Sequence, residues 1–136
     1  MNIQQILSNA ISLSLKDYGA KTYKEELEQG FKEPCFFIAL TSASKTHLTE
    51  KWFKHIYHFD VQYFESDKSK AYEMADNLFY QLEVIKLGDD AFRGYDINYD
   101  YVDGVLHFMV TYQTSVRDIV DQTKMEKIKI EGGIKS

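Results

Sequence analysis

The chain has 136 residues, a length that suits one domain and is enough to enclose a core. Hydrophobic residues at 44% and charged residues at 27% are the proportions of a soluble globular protein, and no run of about 18 apolar residues is present to span a membrane. A net charge of -5 argues against a protein that grips nucleic acid by neutralising its phosphates.

Three further features of the sequence bear on function. The single cysteine, Cys35, cannot form an intramolecular disulfide, which fits a reducing compartment. Asn2, Gln4, Gln5, Ser8 and Asn9 interrupt the apolar run that a signal peptide needs, so none is expected. Ten Tyr and nine Phe suit half-buried sheet faces and protein interfaces, where a ring buries area while a hydroxyl finds a partner.

In chain order, Ile3, Ile6, Leu7, Ala10 and Ile11 recur at helical spacing and predict an amphipathic helix of about four turns that ends near Gly19. Ala20 to Tyr23 reads as a short strand and Glu25 to Lys32 as polar loop. Gly30 and Pro34, the only proline, shape the entry to an apolar run that starts at Cys35-Phe36-Phe37-Ile38. Residues from Cys35 to His47 and from Lys51 to Phe64 predict a long antiparallel hairpin with its turn at Leu48-Thr49-Glu50. In its second strand Phe53, His55, Tyr57, Phe59, Val61 and Tyr63 alternate onto one face. The outer parts, Thr41 to His47 and Lys51 to His55, are too polar for a core and are expected to project as an arm.

Ser66 or Asp67 can cap a second helix with its body from Lys70 to Val84 and an apolar stripe from Ala71 to Ile85, ended by Gly88-Asp89-Asp90. Phe92 to Tyr101 and Val105 to Val116 predict a second hairpin around Asp103-Gly104, a strong type I′ turn signal. Beyond Val116 the pattern weakens: Met125 to Ile130 alternates like a strand without an assigned partner, and Glu131-Gly132-Gly133 reads as a flexible end. The expected fold is α+β: a mainly antiparallel sheet of four to five strands against two helices, in the order α-β-β-β-α-β-β. Residues 1–116 are expected to form one domain, and 117–136 a tail that serves as an extra strand or an interface arm.

Chemistry is hard to find. There is no Gly-rich phosphate loop, paired-cysteine zinc pattern or His-Glu-x-x-His motif. His55 and His58 fall on opposite faces of a strand and cannot share a metal, while His47 could approach His55 across the hairpin without further ligands. Cys35 beside Phe36, Phe37 and Ile38 reads as a small buried hydrophobe rather than a nucleophile. The pairs Glu25-Glu26 and Asp89-Asp90, and the series Asp96, Asp100 and Asp103, read as solvated surface, the last without the spacing of a calcium loop. Tyr95, Tyr99 and Tyr101 lack the basic neighbours of a base-stacking platform. No catalytic, cofactor-binding or metal site is expected.

The segment Gln29-Gly30-Phe31-Lys32-Glu33-Pro34-Cys35-Phe36-Phe37-Ile38, with Tyr23-Lys24-Glu25-Glu26 before it and Tyr57-His58-Phe59-Asp60-Val61-Gln62-Tyr63-Phe64 after it, resembles the tail terminator (tail completion) proteins of phages and prophages of Gram-positive bacteria. Tyr72-Glu73-Met74-Ala75-Asp76-Asn77-Leu78 fits the same pattern, and the resemblance runs from about residue 2 to about residue 116. It implies a small α+β structural protein, not an enzyme, assembled in the host cytoplasm into the virion tail. Its partners would be copies of itself in a ring, expected to be a hexamer, the tail tube protein, a neck or head-completion protein and a tail sheath. DNA would only pass through the lumen. Phe31, Lys32 and Pro34 in the loop, Thr46, His47, Leu48, Glu50, Lys51 and Trp52 in the arm, and Met125, Ile128 and Ile130 in the tail are the expected subunit-interface residues. Two other roles stay open: another neck or head-closure protein of the same particle, and a small α+β enzyme with no recognisable site.

Overall fold

The computed structural model describes residues 2–24, 29–118 and 128–131. Helix α1 spans Ile3–Ser14 and begins with a capping box. The Asn2 side chain accepts from the Gln5 N–H at 2.8 Å, and the Gln5 side chain accepts from the Asn2 N–H at 3.0 Å. A 3-10 turn, Lys16–Tyr18, then stops at Gly19, whose φ of 74 is open to glycine at little cost. Strand β1, Lys21–Tyr23, follows. Next come the long strands β2, Cys35–His47, and β3, Trp52–Phe64. Helix α2, Lys68–Gln81, is capped by Asp67, whose carboxylate accepts from the Ser69 N–H at 3.0 Å.

Strand β4, Val84–Leu87, leads through a two-residue turn at Gly88-Asp89 into β5, Asp90–Val102. Asp103 and Gly104, both with positive φ, turn the chain into β6, Val105–Asp118. A last strand, β7, covers Ile128–Glu131.

The architecture is α+β as expected, with more strands than the expected four to five. The sheet order is β1-β2-β3-β6-β5-β4, with β7 added to β6, and only the β1–β2 pair is parallel. Two strands account for the excess. β4 was expected to be the last turn of the second helix. The stripe to Ile85 ran on at helical spacing, but β-branched Val84 and Ile85 turn out of the helix, and Ile85 pairs with Phe92 in the sheet. The tail strand, left without a partner by the sequence, pairs Ile130 with Val116 and Glu131 with Ser115. Met125 and the Gly132-Gly133 end lie outside the described residues.

Both helices lie on one face of the sheet. Leu7, Ile11 and Leu15 of the first helical segment and Ala71, Ala75, Leu78 and Leu82 of the second meet Phe36, Phe59, Phe108 and Tyr112, all fully or almost fully buried. Phe79 stands edge-on to Phe108 with ring centroids 5.3 Å apart, and Phe36 packs on Tyr63 at 4.8 Å. Cys35 is fully buried in the same core.

One close approach decides how the strands cross. β5 leaves β4 and joins β6 at Gly94. There the Gly94 N–H donates to the Glu83 carbonyl at 2.6 Å, and a Cβ on Gly94 would stand 2.7 Å from Val110 Cγ2 and 3.0 Å from the Leu82 carbonyl oxygen. Only glycine lets the strand pass this close to the end of α2.

Candidate functional site

The long hairpin divides in two along its length. Near its base β2 buries Cys35, Phe36 and Ile38, while every residue from Thr41 to Glu50 is exposed. A register shift between Leu40 and Ser42 marks the change, and beyond it Ser42–His47 pairs without interruption with Phe53–His58. The arm is therefore present, but it is not the two-stranded hairpin that the sequence suggests. β6 continues alongside β3 to the Trp52–Arg117 pair, and β7 adds to β6 where β5 has turned away. The outcome is a four-stranded extension, β2-β3-β6-β7, reaching past the helices.

Side chains on the extension hold it in shape. The Lys45 ammonium lies 3.9 Å from the centre of the Phe53 ring, and His47 stacks on the same ring at 4.6 Å. His55 stacks on Tyr57 at 6.0 Å, and its Nδ1 lies 3.1 Å from the Tyr57 hydroxyl. Burial first, and the Lys45 charge second, push the His55 pKa below its ordinary value. His47 sits opposite Phe53, and His55 opposite Lys45, so the two histidines do not meet across the hairpin.

The sheet face turned away from the helices carries a row of polar side chains. Asp60 Oδ2 accepts from Gln62 Nε2 at 3.0 Å and lies 2.9 Å from His107 Nδ1. His58 Nδ1 and the Thr111 hydroxyl are 2.8 Å apart, and the Thr41 hydroxyl donates to the His58 carbonyl at 3.1 Å. These contacts link β2, β3 and β6 and pin the register of the strands, while Asp60 Oδ1 is buried without a hydrogen-bond partner among the described residues. Among the described residues no group of three or more His, Cys, Asp or Glu is placed to hold a metal.

The expected interface residues fall into two groups. At the base, Phe31 is half-buried and edge-on to Phe64 at 4.8 Å, while Lys32 and Pro34 are exposed. The Glu33–Pro34 peptide is cis, and the Glu33 carboxylate accepts from the Ser66 N–H at 3.0 Å. At the far end Thr46, His47, Leu48, Glu50 and Lys51 are exposed and Trp52 is half-buried. Thirteen residues of β2 at about 3.3 Å each put the two groups some ~40 Å apart. Ile128 and Ile130 join the far group through β7, which runs beside the Trp52–Arg117 and Phe53–Val116 rows.

Sequence reasoning missed the outer edge of β2. β1 covers only Cys35–Phe37, and among the described residues no strand pairs with Ile38–His47 on that side. The polar, proline-free composition of Thr41–Thr46 was the available signal.

A family model described as Phage tail terminator protein matches residues 3–124. No curated protein matches the chain.

Proposed function

The chain belongs to the phage tail terminator protein family, and on that premise we propose that it forms a ring on the head-proximal end of a phage tail tube, stops the tube's growth and joins it to the neck. The family is a structural one, so the protein is a structural component of the virion tail rather than an enzyme. No described helix is long and apolar enough to cross a membrane. The observation that carries the ring reading is the four-stranded extension, whose outermost strand and the turn after it are exposed at every residue from Thr41 to Glu50. An isolated subunit gains little by holding so much polar strand away from its core, whereas a ring needs such surface for contacts between copies.

On this reading residues 1–116 carry the fold and 117–136 act as an interface arm. Six copies close the ring, with Phe31, Lys32, Pro34 and the residues from Thr46 to Trp52 at its contacts. One ring face copies the contacts of a tube subunit and meets the tube protein. The opposite face offers no site for another tube ring and meets a neck or head-completion protein, with a sheath, where there is one, around the outside. DNA passes through the lumen without being gripped, in keeping with the net charge of -5. Termination needs binding alone. The ring assembles in the host cytoplasm and stays in the finished particle.

Electron microscopy of particles made without this protein tests the proposal. Tubes of irregular, excessive length without heads are expected. Tails of uniform length joined to heads would overturn it.

A further inference from the structure

We infer that neighbouring copies join through their backbones: the open outer edge of β2 in one copy, Ser42–His47, receives β7, Ile128–Glu131, of the next as an antiparallel strand. This deepens the ring reading and rests on it.

The edges of the sheet can be accounted for one by one. At one end β4 is packed against α1. At the other, β1 covers β2 only over Cys35–Phe37. Like β1 and the Gly94–Val102 part of β5, two further strands have a neighbour on one side only among the described residues: β2 from Ile38 to His47, and β7, which has β6 alone beside it. Both belong to the same extension. Each exposes unpaired N–H and C=O groups, the template to which another strand adds.

Proteins that must stay monomeric defend such an edge with proline, a bulge or an outward lysine. Here the defences are absent or out of place. The segment has no proline. Its irregularity lies between Leu40 and Ser42, at the inner end, leaving Ser42–His47 regular. Its one lysine, Lys45, lies over the Phe53 ring at 3.9 Å instead of standing guard along the edge. Ser42, Ala43 and Ser44 are small and add no bulk against an incoming strand. The contacts of Lys45 and His47 with Phe53 hold the edge extended before any partner arrives, which lowers the entropic cost of pairing.

Topology then selects the partner. β2 and β3, β3 and β6, and β6 and β7 are each antiparallel, so β7 runs opposite to β2. Rotating one copy onto the next about an axis along the strands keeps every direction. It therefore sets β7 of one copy against β2 of its neighbour in the antiparallel sense, the more stable ladder. The contact is heterologous, so repetition closes a ring. Pairing β2 with β2 would be isologous and would stop at a dimer. By register β7 lies level with Thr46 and His47, through the rows Thr46–Lys54–Ser115–Glu131 and His47–Phe53–Val116–Ile130. The tilt that closes a sheet on itself moves it along β2, where further open residues receive it.

Cross-linking with a short bismaleimide tests this in the full chain assembled on tube protein. The variants are Thr46→Cys with Lys129→Cys, Ser44→Cys with Lys129→Cys, and each substitution alone. Cys35 is fully buried and does not compete. Circular dichroism and light scattering first establish that each variant folds and closes. At least one double variant is expected to give covalent species of three or more subunits, and the single variants none. Dimers from Thr46→Cys alone would show isologous pairing of β2 and overturn the inference. Rings that form normally but give no cross-link in either double variant would overturn it while leaving the ring reading intact. If the unmodified chain forms no ring on tube protein, the functional reading fails and takes this inference with it.

Discussion

Tyr112 shows how single residues tie the layers together. Its ring is fully buried and its hydroxyl donates to the Leu82 carbonyl at 2.6 Å, one residue beyond α2. Burial pushes its pKa far above the ordinary tyrosine value, so the hydroxyl stays a donor at any working pH. Tyr112→Phe leaves that carbonyl without its partner and should lower stability by about 1–3 kcal/mol. Urea denaturation should then show an earlier midpoint with an unchanged slope. Cys35 provides a second check. It is fully buried, and burial together with the nearby Glu33 charge raises its pKa. A thiol reagent should label it slowly in the native protein and fast in denaturant. Rapid native labelling would contradict the packing of β2 on the helices.

At the scale of the elements, the extension is where pH should act. His55 lies between Lys45 and Tyr57, with its folded pKa below the ordinary 6.5. As pH falls below that ordinary value, the unfolded segment takes up a proton that the folded one resists. The unfolded state then binds more protons, and stability declines until the lower, folded pKa is passed. Hydrogen exchange across Lys45–His55, corrected for intrinsic rates, should therefore speed up between about pH 7.5 and about pH 5.5. Lys45→Met removes the smaller cause and should weaken the effect without abolishing it. An unchanged exchange pattern over this range would mean that the histidine is not held neutral by its surroundings.

For the whole molecule, core and extension should separate. Among the described residues every fully buried hydrophobic side chain lies between Leu7 and Tyr112, and β7 pairs only with the outer part of β6. A chain ending at Asp118 should keep a cooperative melting transition close to that of the full chain, because it retains all the described core side chains. The same truncation should fail to close a ring, because β7 is gone. Unfolding of the truncated chain, read by circular dichroism, would make the tail strand part of the core. Normal ring closure would remove β7 from the contact.

Local patterns were enough to read much of this protein. The capping position at Asp67, the alternation from Tyr57 to Tyr63 and the turn at Asp103-Gly104 each depend on neighbours a few residues away, and the structure has them where the sequence puts them. The α+β class and the projecting arm were legible for the same reason. β4 was not, because Val84 and Ile85 continue a helical stripe, and only the pairing of Ile85 with Phe92 makes them a strand. Gly88-Asp89 read as a helix stop although the same pair also suits a hairpin turn. The partner of the tail strand was beyond reach, and the open edge of β2 left only a compositional trace in the polar, proline-free run Thr41–Thr46. The first depends on β5 leaving β6 beyond Gly94, a crossing set by contacts with Val110 and Leu82 that lie far apart in the chain, and the second on β1 pairing with no more of β2 than Cys35–Phe37. Periodicity determines which residues face a core. Which edges stay open is decided only once the strands have found their order.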